Sequence, residues 1–247
     1  MVLQDLKEGK FYVQDGVIYT LTPLTKIEKV EEELRKEIEV SMFKSSSKET
    51  LLKLLGSAIE YFTERGWKIC ILNEKPDNLH LVIAAPFNSG IIKGKGREDA
   101  GDKNKTFQVY IPKGFLGFEI LMSEFPKIMG RKTLLLPNIS GISFRELCQN
   151  EKYRRAYRMV HPHILSENRL CDGLGSITKF DINVIVTHIE ACINGSKIEK
   201  TSLFDYNIIS PATRIEDCVW GHTSYNMNKD GKTDDEIWKE LIKHDRG

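Results

Sequence analysis

The stretch His161-Pro162-His163-Ile164-Leu165-Ser166-Glu167-Asn168-Arg169-Leu170-Cys171 decides how this chain is read. Upstream of it, Tyr153 to Val160 alternates. Tyr153, Arg155, Tyr157 and Met159 oppose Arg154, Ala156, Arg158 and Val160, which predicts a strand running into the His-Pro turn. An extended approach suits the residue before a proline. Downstream, the Gly-rich turn Asp172-Gly173-Leu174-Gly175 leads to Phe180-Asp181. Ile182, Ile185, Val186, Ile189, Cys192 and Ile193 then recur at helical spacing, with Asp181 as N-cap and Asn194-Gly195 as the stop. The order is strand, His-Pro turn, polar loop, cysteine, amphipathic helix.

Working outward, Phe11-Tyr12-Val13 and Val17-Ile18-Tyr19-Thr20-Leu21 flank Gln14-Asp15-Gly16 and predict a β-hairpin. Lys26 to Glu39 has the spacing of a surface helix. Ser46-Ser47-Lys48-Glu49 is a capping-box sequence opening a second helix, whose apolar face runs from Leu51 to Phe62 before Gly66 ends it. Lys68 to Leu72, Leu79 to Ala85 and Thr106 to Ile111 read as strands. Lys93 to Lys105 offers no apolar side chain larger than Ala and is expected to be a mobile loop. Its Gly94-Lys95-Gly96 lacks the ending of a phosphate-binding loop. Between Gly114 and Asn150, Phe115 to Leu121 is very apolar, Thr133 to Leu136 resembles a buried strand, and Ser143-Phe144-Arg145-Glu146 can cap a short helix. The tail from Lys200 mixes turns with an amphipathic stretch, Asp234 to Lys243.

Composition narrows the function classes. Thirty-six Lys and Arg against 35 Asp and Glu leave a formal charge of +1 over 247 residues, which argues against a dedicated nucleic-acid or anionic-membrane binder. No run approaches the length of a membrane-spanning helix, and acids at Asp5 and Glu8 stand where a signal peptide would be apolar. An odd count of five cysteines fits a reducing, cytoplasmic compartment. Cys70 and Cys192 fall on apolar faces and are expected in the core, and Cys148 in its short helix.

The His-Pro turn, the apolar Ile164 and Leu170, and a cysteine ten positions after the first histidine resemble the ubiquitin-conjugating enzyme family, whose motif is His-Pro-Asn, loop, cysteine. His-Pro-His with a short loop and Gly-rich residues after the cysteine is similar to divergent bacterial and phage relatives. The resemblance is carried by Tyr153 to Gly195 and implies an α+β, UBC-like fold: an N-terminal helix, an antiparallel β-meander, the cysteine loop and a following helix. It implies Cys171 as a thioester-forming nucleophile, His163 as the oxyanion or loop-stabilising group in place of Asn, and His161 as the structural anchor of the turn. A ubiquitin-like modifier, an activating enzyme and a protein acceptor would be the partners. No cofactor or metal is called for. The family's paired prolines before the turn are missing, as is its Trp-Ser-Pro segment after the cysteine.

On this reading residues 1–45 form an N-terminal extension, 46–195 the core with inserted sequence around 114–150, and 196–247 a C-terminal extension. Two other readings stand beside it. One is a catalytically inactive UBC-like binding or assembly module. The other is a zinc-binding domain of a different fold, using His161, His163, Cys171, Cys218 and His222. Arg154, Arg155 and Arg158 beside Tyr153 and Tyr157 could touch nucleic acid, but three cations on one strand fit a solvated or partner-facing surface better.

Overall fold

Gly66 closes the helix expected to reach it. Its φ is +66°, in the left-handed region where glycine is favoured. The Trp67 N–H donates across the turn to the Phe62 carbonyl at 3.0 Å, and the two rings stack 5.3 Å apart. This is a Schellman stop with its apolar contact. The computed structural model describes residues 11–14, 17–20, 62, 64–73, 79–95, 106–124, 126–158, 160–164, 168–170, 176–194, 203–204 and 219–244. The expected helix at Lys26 to Glu39 and the capping box at Ser46 lie outside them.

Strands β1 (Phe11–Gln14) and β2 (Val17–Thr20) form the expected hairpin, with Phe11 opposite Thr20 and Gln14 opposite Val17. β2 pairs antiparallel with β3 (Lys68–Asn73), and β3 with β4 (Leu79–Phe87). The apolar segments after Gly114 supply β7 (Gly114–Glu124) and β8 (Lys127–Pro137), giving a six-stranded sheet in the order β1-β2-β3-β4-β7-β8. β5 (Gly90–Lys95) and β6 (Thr106–Ile111) form a separate antiparallel pair. The expected loop at Lys93 is therefore corrected at its start. Lys93 to Lys95 pair with Gln108 to Thr106, because a backbone ladder needs no apolar side chains. Residues 96–105 lie outside the described set.

Besides the helix end at Gly66, five helices are described from end to end: α1 (Phe144–Gln149), α2 (Glu151–Arg154), α3 (Ile182–Asn194), α4 (Val219–Lys229) and α5 (Asp234–His244). Ser143 Oγ accepts from the Glu146 N–H at 3.2 Å, and Asp181 Oδ1 accepts from the Asn183 N–H at 2.9 Å, so both expected caps form. The expected strand at Tyr153 to Val160 is overturned. Asn150 Oδ1 caps α2 through the Lys152 N–H, and turns follow: Arg158 N–H to Arg155 O, then Val160 and His161 N–H to Tyr157 O. The alternation is coincidental, since among the described residues there the buried ones are Ala156, Tyr157 and Val160, with Ala156 and Tyr157 adjacent. α4 is not foreseen by the sequence pattern. Among the described residues no helix is long and apolar enough to cross a membrane.

The chain forms two compact units. The first comprises Met1–Ala85, Phe118–Arg131 and Ser176–Thr187. Its core includes Cys70, Ile83 and Ile120, all fully buried. The Arg131 guanidinium lies 4.4 Å from the Phe118 ring centre, and His80 Nε2 is 2.8 Å from Glu119 Oε1.

The second unit comprises Pro86–Gly117, Lys132–Gly175 and His188–Gly247. Tyr157 and Trp238 meet edge to face at 4.6 Å in its core. Each satisfies its polar atom on one bend: the Tyr157 hydroxyl donates to Pro112 O at 2.7 Å, and Trp238 Nε1 donates to Lys113 O at 3.0 Å. Asp234, first residue of α5, accepts from the Tyr110 hydroxyl at 2.7 Å and from the Lys113 N–H at 3.1 Å. Burial, with the Asp234 charge acting the same way, pushes the Tyr110 hydroxyl up to about 12. α4 lies against β6 through Gly221, where a Cβ would come within 2.5 Å of the Val160 carbonyl and 2.8 Å of Val109 Cγ1. Cys148 and Cys192 are buried, as expected of core thiols.

Candidate functional site

His161 is the fixed point of the motif. It is only 1% exposed. Its Nδ1 is 3.1 Å from the His163 backbone N–H, which can only donate, so Nδ1 accepts. The proton therefore sits on Nε2, which donates to the Leu203 carbonyl at 3.0 Å. Burial pushes this imidazole down to about 3; the Leu203 carbonyl opposes that fall, and the neighbouring His163 charge adds to it. The ring is neutral, in one tautomer, with both nitrogens engaged.

Leu203 extends the series. Its N–H donates at 2.7 Å to the carbonyl of Cys192, one of the last-turn groups that α3 cannot satisfy internally. The hydrogen bonds run from the end of α3, through Leu203, to His161 and on to His163. The histidine expected to anchor the turn is thus tied to the helix that follows the cysteine in sequence.

The loop is closed at its two apolar ends. Ile164 and Leu170 form an antiparallel bridge, both are buried, and the Leu170 N–H donates to Thr133 O of β8 at 2.9 Å. Between them Asn168 adopts φ +56°, the only non-glycine residue at positive φ among those described. Asn tolerates this region better than most side chains. Its Nδ2 donates to Glu151 Oε1 at 3.2 Å, and its Oδ1 is buried without a partner. Glu151 Oε1 also accepts from Arg155 Nε at 2.9 Å. Cys171 follows Leu170 directly and lies outside the described residues, as do 165–167 and 172–175. His163 is half-buried and joined to His161 through its backbone.

Sequence reasoning names His161, His163, Ile164 and Leu170 here, but misses Thr133, Glu151, Asn168 and Leu203. Only Asn168 carries a signal, as a residue type suited to a left-handed turn. The arginine group is corrected: with no strand present, Arg154 donates to Cys148 O at 2.9 Å and Arg155 pairs with Glu151. These two cations serve local structure.

As a zinc ligand His161 has no lone pair left, since Nδ1 accepts from a backbone N–H and Nε2 carries the proton. His222 Nδ1 is 3.3 Å from Gln108 O, and Cys171 and Cys218 lie outside the described residues. Among the described residues no three His, Cys, Asp or Glu side chains cluster in a way that could hold a metal. No protein-family model, curated protein or solved structure matches the chain.

Proposed function

We propose that this chain is a divergent UBC-like conjugating protein that carries a ubiquitin-like modifier as a thioester on Cys171. The observation that carries the reading is the Ile164–Leu170 bridge, which closes the polar loop one residue before Cys171 and sits beside a His-Pro turn held by a buried, doubly bonded His161. Acyl transfer between two macromolecules needs a nucleophile on a braced loop rather than in a deep cavity. The order of a helix ending at Gly66, then neighbouring strands β3, β4, β7 and β8, agrees with the helix-then-meander order that the motif implies.

In this reaction the Cys171 thiolate attacks the modifier's activated carboxyl carbon and displaces the thiolate of the activating enzyme. An acceptor amine then attacks the new thioester; the C–S bond breaks, Cys171 leaves as thiolate and the amine sheds its proton to solvent. His163 supplies an imidazole donor for the oxyanion of each tetrahedral intermediate. His161 cannot act as an acid or base near neutral pH, being neutral, buried and committed on both nitrogens. Its work is to hold the turn.

Reconstitution with an activating enzyme and modifier encoded in the same genome tests this. Wild type should give an adduct that thiol reductant cleaves, Cys171→Ala none, and Cys171→Ser an adduct that resists reductant but yields to hydroxide. An adduct that survives Cys171→Ala, or no adduct with any such modifier, overturns the proposal.

A further inference from the structure

We infer that Glu151 and Asn168 form a clasp that positions the chain entering Cys171; the inference rests on the proposed role of that cysteine. Three observations converge on Asn168. Its backbone is left-handed, a conformation that side chains other than Gly, Asn and Asp seldom adopt. Its Nδ2 bonds across 17 residues to Glu151, the first residue of α2. Its Oδ1 is buried and unpartnered. Rotating the amide to satisfy that oxygen would set it against the Glu151 carboxylate, so Glu151 fixes which way the amide faces.

Glu151 is held in turn. The Arg155 guanidinium bonds the same Oε1 atom at 2.9 Å, and Arg154 Nε lies 3.9 Å from Oε2. Arg154 is also pinned to the Cys148 carbonyl. The loop is thereby referred to α2 by a side-chain bond and to β8 by the Leu170 N–H. Asn168 and Leu170 are thus held on either side of Arg169, immediately before Cys171 in sequence. A left-handed residue and an orphaned acceptor are unfavourable features, and such features persist where the surrounding structure over-determines them. Glu151 and Asn168 are positioning residues here; neither is placed at the reacting atoms.

The test compares wild type with Asn168→Ala, Asn168→Gly, Glu151→Ala, Glu151→Gln and the Asn168→Ala/Glu151→Ala double variant. Two quantities are read in the full chain: hydrogen exchange at the Leu170 amide, and the pH profile of Cys171 alkylation by iodoacetamide, located by peptide mass. Asn168→Ala and Glu151→Ala should each speed Leu170 exchange by about tenfold, and the double variant no more than either alone, as expected of partners in one interaction. Both should change the Cys171 profile, and by the same amount. Glu151→Gln, which keeps an acceptor for Nδ2, should restore most of the wild-type behaviour; Asn168→Gly, which keeps only the backbone freedom, should fall between. Unchanged Leu170 exchange, or single effects that multiply in the double variant, overturns the clasp. Failure of the thioester reading shows elsewhere, as a wild type that forms no reductant-sensitive adduct.

Discussion

Between pH 7 and pH 5 the wild-type chain should lose about 2 kcal/mol of stability that a His161→Gln variant does not lose. His161 titrates near 3 when folded because it is buried, and near its ordinary 6.5 when unfolded. Between those values the unfolded chain binds a proton that the folded chain refuses, so stability falls as pH falls. The contribution is complete above pH 6.5, shrinks by about 1.4 kcal/mol per unit below it, and has no further slope under pH 3. Other titrating groups are common to both proteins, so the difference between their urea midpoints at pH 7, 6 and 5 isolates His161. Glutamine cannot reproduce both of its backbone bonds, and the variant should already be weaker at pH 7 by about 1–3 kcal/mol. Parallel slopes for the two proteins would show that His161 is protonated in the folded state and that the assigned tautomer is wrong.

The second large effect is steric. Gly221→Ala should destabilise the chain by about 2–3 kcal/mol, at the upper end for one added methyl in a packed site. The nearest atom to the new Cβ is the Val160 carbonyl oxygen at 2.5 Å, and backbone cannot rotate away as a side chain could. On helix propensity alone the same change would gain about 1 kcal/mol, so the two accounts differ in sign. Chemical denaturation decides between them. Asn226→Ala, at an exposed position of the same helix, is the control: it reports what the helix gains from alanine without the contact.

Gly221 also shows why α4 is not legible in one dimension. Its sequence, Val219-Trp220-Gly221-His222-Thr223-Ser224-Tyr225-Asn226-Met227-Asn228-Lys229, is poor in strong helix formers and carries a glycine in the first turn. The glycine is needed for close approach to β6, a tertiary reason invisible to local patterning. Elements whose reasons are local can be read directly: the hairpin at Phe11, the caps at Ser143 and Asp181, the stop at Gly66 and the apolar face of α5. Tyr153 to Val160 fails in the opposite direction. Eight residues alternate by chance, while Asn150, whose side chain starts α2, looks in the sequence like no more than the end of a segment.

The site divides along the same line. A His-Pro turn and two flanking apolar residues can be seen from the sequence. Leu203 cannot, because what it gives His161 and Cys192 is a peptide group, and any residue type but proline could supply the N–H. Glu151 belongs to the same class: one acid among 35 acidic residues, distinguished only by what folds against it.

The bond from His161 to Leu203 spans 42 positions in sequence, and this separation bears on when the turn takes shape. Closing a flexible segment of that length costs roughly 3 kcal/mol of chain entropy, more than one hydrogen bond returns. The anchor therefore forms only after other packing has brought the segment around residue 203 into place. Substitutions at His161 should consequently speed unfolding and leave the refolding rate almost unchanged, a φ-value near zero, measurable by stopped-flow kinetics. The contact that anchors the His-Pro turn would then be among the last to become native and among the first to be given up.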